Sequence, residues 1–395
     1  MKIVYIAPFL PHPMDSGAKF RIHSLVEGLA QFAEVHLVVL SDPVPAEHLS
    51  SYPRQHTTTF FPAPAESRIQ KLKRYLLGAV SPFGTILGKH MPSGRLQHIQ
   101  ALLDQIQPDH LILGDTYISR LFQHLRFPTG RITIDTHNVE SVLMGRISAD
   151  KTSRAQKLRY RYLAWEARRL ERDFSRVSQV LAVSEQDATV YRQQGLRRVF
   201  VVPNVVPIEQ YTHLKPGDPR KLVYTAWYGY PPNEEAALRI ISLSHRALKQ
   251  GLQHQVSLVG KEPTQAMQEA ARGADHIRIT GAVPSVLPDL EAAGIFFAPL
   301  FSGSGTKLKL IEALAAGRLV ITTPIGAEGL DLVHGKHVLV GNTESELLDL
   351  LRSALHDPQR YATLQNTGKQ HVMQHFSQDN VNSRLQSLFL EGNHA

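Results

Sequence analysis

Gly305, Thr306, Lys307 and Glu312 make the most chemically loaded run of the chain: small residue, hydroxyl, cation and, six residues past the hydroxyl, a carboxylate. Leu310, Ile311, Leu314 and Ala315 recur at helical spacing, which predicts a helix opening at Gly305–Thr306 and stopped by Gly317. A helix start offers unpaired N–H groups and partial positive charge, which suits phosphate. Lys307 in the first turn opposes the dipole's preference for anions, an arrangement that makes sense with a polyanion between the cation and the amides. Glu312 falls about 9 Å along the axis from Thr306, where a carboxylate can accept hydrogen bonds from a sugar diol. A surface helix with scattered charges would look the same in isolation, so the flanking elements decide.

Those elements form a unit. The apolar run Ile295–Leu300 reads as a buried strand, followed by a loop with nothing bulky in it, Gly303, Ser304, Gly305 and Thr306. After the helix a second run, Leu319–Thr323, leads into another glycine loop that holds Gly326, Ala327 and Glu328. Strand, loop, helix, strand, loop is a parallel α/β unit whose loops lie at the carboxyl ends of the strands, where such sheets bind ligands.

This stretch resembles the signature region of the family 4 (group 1) retaining glycosyltransferases of the GT-B fold. The family pattern is two glutamates separated by seven residues. Glu312 matches the second, which in the family holds the nucleotide ribose, while the first position is Ser304. A subgroup with the form GSGT-(Lys/Arg)-LK-x-x-E and a GAEGL loop is matched closely. The resemblance implies two Rossmann-like parallel-sheet domains facing a cleft. It implies a nucleoside-diphosphate sugar as donor and a glycan or lipid-linked acceptor, in cell-surface or exopolysaccharide synthesis. The expected donor-side residues are Ser304, Gly305, Thr306, Lys307, Glu312, Gly326, Ala327 and Glu328, with Lys307 as the cation on the departing diphosphate and Lys309 as its reserve.

Composition fits and narrows the field. The 395 residues suffice for two domains, 43% are hydrophobic, and cysteine is absent, which excludes disulfides and thiolate metal sites. Pro8, Pro11 and Pro13 interrupt the apolar start, which argues against a signal peptide, and no run approaches the roughly 20 apolar residues of a membrane span. A soluble, cytoplasmic protein is expected, with peripheral contact at the inner membrane face. The net charge of +8 suits an anionic partner. No nucleic-acid-binding signature accompanies it, so nucleic acid is not expected. No Asp-x-Asp metal motif and no dinucleotide fingerprint occur, so neither metal nor cofactor is expected.

Taken from the start, Lys2–Ala7 reads as a strand and Gly17 as the opening of an amphipathic helix, where the family's loop touches donor phosphate or acceptor and Gly17 lets backbone approach. Residues 42–68 read as connection, with a short strand near Thr57–Phe61, and Arg68–Arg74 as a basic amphipathic segment. The fourth strand, Arg131–Asp135, ends in Asp135-Thr136-His137-Asn138, four polar residues expected to face the ligand. A lone strand-end histidine is commonly structural. The resemblance implies instead that His137 contacts the donor sugar, with Asn138 beside it.

Lys151–Arg176 reads as a long helix with nine Lys/Arg against three acids, and with Leu158, Tyr162, Trp165, Leu170 and Phe174 as the stripe packed on the sheet. Its basic face is a candidate for anionic membrane, as ordinary solvated charge is for any such helix. The expected division is an acceptor-side domain over 1–212, a linker at 213–220, a nucleotide-sugar domain over 221–376, and a C-terminal helix in 377–395 returning to the first domain. Tyr224–Asn233 departs from the family, offering aromatics and Asn233 where many members carry Arg and Lys. A nucleotide-sugar epimerase or hydrolase on the same fold, and a non-catalytic glycan- or anion-binding relative, are the alternatives.

Overall fold

The structure is a computed structural model that describes residues 1–14, 16–41, 57–61, 94–150, 153–303 and 305–391. The Arg68–Arg74 segment and Ser304 lie outside the described residues. The chain forms two compact units, Met1–Val205 with Gln378–Ala395, and Val206–Ser377.

The first unit is built on a seven-stranded sheet of β1 (Lys2–Ala7), β2 (Glu34–Val39), β3 (Thr57–Phe60), β4 (His110–Leu113), β5 (Ile132–Asp135), β6 (Gln179–Ala182) and β7 (Val199–Val201). Their order is β3-β2-β1-β4-β5-β6-β7, with every neighbour parallel. The central strands are apolar without alternation because helices cover both faces: Ile3–Ala7 are wholly buried and Ile132–Asp135 have no exposed position. Side chains of β1 alternate between two cores, Val4 and Ile6 in one, Ile3 and Tyr5 in the other. The C-terminal helix Gln378–Gln386 belongs to this unit. Val381 and Leu385 enter the Ile3/Tyr5 core, and Gln378 Nε2 donates to the Ser24 carbonyl at 2.9 Å.

The second unit carries a six-stranded sheet: β8 (Asp218–Thr225), β9 (Gln255–Val259), β10 (Ile277–Ile279), β11 (Ala293–Ala298), β12 (Leu319–Thr322) and β13 (Leu339–Val340). Their order is β10-β9-β8-β11-β12-β13, again all parallel. Strand β8 begins at Asp218, inside the stretch read from sequence as a linker. The Lys215 carbonyl just before it accepts from Arg318 Nη2 at 2.6 Å.

Two sequence expectations are corrected here. Asp135 and Thr136 do not face a ligand. Asp135 is fully buried and pairs with Arg21 of the Gly17–Ala30 helix, Nη2 to Oδ1 at 2.6 Å, and Tyr5 donates its hydroxyl to Oδ2 at 2.7 Å. Thr136 donates to the Leu181 carbonyl at 2.9 Å. The long basic helix runs from Arg154 to Arg172, and its buried positions are Leu163, Glu166, Ala167, Leu170 and Glu171. Leu158 and Trp165 point away from the sheet, 71% and 51% exposed. Of the expected stripe, Leu170 and Phe174 are buried, while Leu158 and Trp165 lie on the opposite face and Leu163, Ala167, Glu166 and Glu171 take the inward positions.

Arg21 also reaches the loop after β7, with Nη1 2.7 Å from the Val202 carbonyl and 3.3 Å from Asn204 Oδ1. Arg21→Met strands the Asp135 carboxylate in the core and should lower unfolding stability by about 3–5 kcal/mol. Urea denaturation measures it, and a loss under about 1 kcal/mol would show that the pair holds nothing together.

Candidate functional site

In the second sheet β8 and β11 are neighbours, but the chain leaves them in opposite directions, to β9 on one side and β12 on the other. Their carboxyl ends therefore splay into a crevice, the place where such sheets accept ligands. Thr225 ends β8, and beyond it Trp227 and Tyr230 are exposed before the Pro231–Lys249 helix. Ala298 ends β11, and the loop beyond it leads to the Leu308–Ala315 helix. Gly303 and Gly305 in that loop take φ of 106° and 69°, which side-chain-bearing residues seldom adopt.

The floor of the crevice is polar and cationic. Lys309 Nζ donates to Asn233 Oδ1 at 2.7 Å and to the Tyr224 hydroxyl oxygen at 3.1 Å, and lies 4.6 Å from the Tyr224 ring centre. Burial pulls its pKa down to about 7; the Glu312 carboxylate opposes that shift and the Lys307 charge adds to it. Glu312 accepts a hydrogen bond from Tyr211. Burial raises its pKa, and the Tyr211 bond and Lys309 resist the rise. Both groups are thus pushed toward neutrality by desolvation although they attract each other. An anion arriving beside Lys309 restores its charge.

The helix opens at Leu308 rather than at Gly305–Thr306, so Gly305 and Thr306 lie in the loop and Lys307 occupies the N-cap position. No side chain caps this end, and its first N–H groups have no intrahelical partner. Lys307 is buried, with Nζ 3.7 Å from Glu328 Oε2, so the expected diphosphate cation is already tied to a carboxylate of the second glycine loop. Gly326 donates its N–H to Thr323 Oγ1 at 3.2 Å, and a Cβ there would sit 1.9 Å from Thr322 Oγ1. Its role is close packing rather than donation to a ligand. Ala327 ends the short Pro324–Ala327 helix just before Glu328.

Two hydroxyls at this crevice have no hydrogen-bond partner among the described residues although both are buried: Thr225 Oγ1 and Thr306 Oγ1. A buried orphan hydroxyl is costly unless something fills the place.

The first unit offers its own group of residues after β5. His137 Nε2 lies 3.1 Å from the Gly114 carbonyl, which can only accept, so Nε2 donates there and Nδ1 is the ring nitrogen left over. That Nδ1 is buried and has no partner among the described residues. Asn138 Nδ2 donates to Glu140 Oε1 at 3.2 Å, and Tyr117 donates to Glu140 Oε2 at 3.0 Å. Burial, with Asp115 nearby, raises the Glu140 pKa to about 7. Gly17 opens its helix behind Ser16, whose side chain makes no capping bond.

Sequence reading missed Tyr211, Tyr117 and Glu140. Tyr211 precedes Glu312 by about a hundred residues, and no local pattern links them. Glu140 stands two residues from Asn138 and was within reach of sequence reasoning. Among the described residues, no group of three or more His, Cys, Asp or Glu is arranged to hold a metal ion.

Residues 219–357 match the family described as glycosyl transferases group 1. An uncharacterized 44.6 kDa protein in the cps region of Klebsiella pneumoniae is 38% identical over 50 residues, which span 13% of this chain and 13% of that protein. Among solved structures, Anabaena HepE in complex with UDP and glucose superposes with a TM-score of 0.66 at 16% identity, over 99% of this chain and 100% of that one. A mutant of S. aureus TarM in complex with Fondaparinux, alpha-GlcNAc-glycerol and UDP gives 0.69 at 10% identity, over 98% of this chain and 99% of that one. These two likenesses establish the GT-B architecture.

Thr306→Val replaces the orphan hydroxyl by a methyl of similar size. Thermal unfolding should show stability unchanged or raised by up to about 1 kcal/mol. A clear loss would mean that the hydroxyl bonds within the protein.

Proposed function

We propose that this chain, whose residues 219–357 match the group 1 glycosyl transferases, is a member of that family that transfers a sugar, with retention, from a UDP-sugar to a glycan or lipid-linked acceptor in capsule or exopolysaccharide synthesis. The observation that carries this reading is the crevice between β8 and β11, where Lys309, Glu312 and the orphan hydroxyls of Thr225 and Thr306 surround an uncapped helix start. UDP accompanies both structural relatives, and the Klebsiella match lies in a cps region.

In this reading the Glu312 carboxylate, steadied by Tyr211, accepts hydrogen bonds from the ribose diol. The diphosphate lies at the helix start with Thr306 and Lys309, and Lys307 adds charge from its place beside Glu328. The bond from the sugar's anomeric carbon to the diphosphate oxygen breaks as the acceptor hydroxyl adds to the same face, and the hydroxyl proton passes to the departing phosphate oxygen. The protein's task is to stabilise the negative charge growing on that phosphate. Within the first unit, His137 Nδ1 and Asn138 offer polar groups to a sugar-bearing substrate. With Ser304 in place of the first signature glutamate, the donor sugar's hydroxyls lose one carboxylate contact.

Glu312→Gln substitutes an amide that accepts more weakly and brings a donor where the diol already donates. Calorimetry with UDP should show affinity falling roughly 10- to 100-fold, the equivalent of one charge-assisted hydrogen bond. Unchanged affinity would make Glu312 a structural residue. If none of the UDP, GDP, ADP or dTDP sugars raises the unfolding midpoint, the donor-binding reading fails. Release of UDP without acceptor, at the rate seen with one, would favour a hydrolase.

Lys309 gives a pH signature. Its free-state pKa of about 7 rises when the diphosphate binds, so binding takes up a proton. UDP affinity should therefore fall as pH rises above 7, by up to about tenfold per unit until the bound-state pKa is reached. In Lys309→Met the affinity should be lower and this slope absent. An unchanged slope would place the diphosphate away from Lys309.

A further inference from the structure

The Arg154–Arg172 helix carries a surface that the proposed transfer reaction does not use. Taking Trp165 as reference, a rotation of about 100° per residue places Leu158, Arg161, Arg168, Arg169 and Arg172 within about 60° of it, all on one side. All six are exposed, and Leu158 and Trp165 are among the most exposed large apolar side chains described. The carboxylates of the helix are turned the other way. Glu171 is fully buried and accepts from the Ser141 N–H at 2.9 Å, and Glu166 is 5% exposed. No salt bridge joins Arg161, Arg168 or Arg172 to a carboxylate among the described residues. The folded helix has therefore separated its charges, acids inward and guanidiniums outward, with two apolar side chains set among the guanidiniums.

We propose that this face docks on the surface of a bilayer containing anionic phospholipid, with Trp165 and Leu158 entering the headgroup–acyl boundary and the arginines engaging lipid phosphates. Charge complementarity requires an anionic partner, and the exposed apolar groups require one that also buries hydrocarbon. A lipid surface does both. Nucleic acid satisfies the arginines alone and leaves Leu158 in water. Leu158, Trp165 and Arg172 fall seven residues apart in one row that runs about 21 Å along the axis, straight enough to lie on a plane. Indole favours the interface, where its ring is half in hydrocarbon and its N–H stays hydrated. The Arg169 guanidinium lies 6.0 Å from the Trp165 ring centre and the tilted Tyr162 ring 5.9 Å from it, so the indole is flanked by both side chains. Among the described residues no helix is long and apolar enough to cross a membrane, so this is attachment in the plane of the surface.

The full-length protein is sedimented with vesicles of phosphatidylcholine alone and of phosphatidylcholine with roughly a third phosphatidylglycerol. Binding should be confined to the anionic vesicles and should weaken as salt rises. Arg161→Gln, Arg168→Gln and Arg172→Gln together should reduce it about 100-fold. Leu158→Ala with Trp165→Ala should reduce it roughly tenfold with the arginines intact. These side chains are exposed, so the melting midpoints should stay near that of the parent protein. The chain has two tryptophans, and in a Trp227→Phe background the Trp165 emission should shift to the blue on anionic vesicles and be quenched by shallow bromolipids. Equal sedimentation with both vesicle types at low salt, or emission from Trp165 that does not move, overturns the proposal. So does a concentration-dependent dimer that Trp165→Ala dissolves, which would assign the face to a second copy of the chain.

Discussion

Each unit contains a fully buried guanidinium. Arg21 in the first and Arg318 in the second are the two largest fully buried side chains described. Arg318 gathers backbone carbonyls that the sheet leaves unpaired: Ala316 at 2.8 Å, Ala293 at 2.8 Å, Glu291 at 3.2 Å and Lys215 at 2.6 Å. Arg21 joins a helix, the end of β5 and the loop after β7 through Asp135, the Val202 carbonyl and Asn204. A parallel sheet leaves polar backbone at the ends of its strands, where chain segments remote in sequence must meet. A planar donor with five N–H groups can satisfy several of them at once, and a desolvated guanidinium lacking those partners would be too costly to bury.

The carboxyl ends of β8 and β11, opposite the amino ends that Arg318 ties together, hold the proposed ligand-facing chemistry, and there the polar groups are left under-satisfied. Lys309 and Glu312 are one helical turn apart, and each is drawn toward its neutral form by burial. Thr225 and Thr306 keep hydroxyls without partners among the described residues. Where Arg318 is saturated, the crevice between β8 and β11 has hydroxyls without partners among the described residues and a lysine whose pKa burial lowers to about 7. That contrast separates a group that holds the fold from the groups proposed to hold the donor, although both are buried polar side chains.

The basic helix of the first unit shows tertiary packing sorting charge. Composition alone shows an excess of cations. Folding draws Glu166 and Glu171 to the buried side and leaves the exterior with arginines around Leu158 and Trp165. The field outside that helix is therefore more strongly positive than the summed charge of its residues conveys.

The sequence by itself determined most of the architecture. Unbroken apolar runs such as Lys2–Ala7 and Leu319–Thr322, alternating with helical spacing and punctuated by glycine, admit only parallel sheets covered on both faces. It also made Glu312, His137 and the glycine loop candidates, His137 and the loop because they follow strand ends and Glu312 because it lies on the helix after that loop. What it left open depends on contacts across long stretches of chain. The Tyr211 bond to Glu312, the Asn233 and Tyr224 grip on Lys309, the Lys307–Glu328 pair and the withdrawal of Asp135 into the Arg21 network each join separate elements. Helical spacing alone does not say which face of this helix packs, which is why Leu158 and Trp165, read as part of the packed stripe, lie on the opposite, exposed face. Only the packed structure decided which charges are held inside and which face outward, since burial is a property of the assembled core and not of any segment.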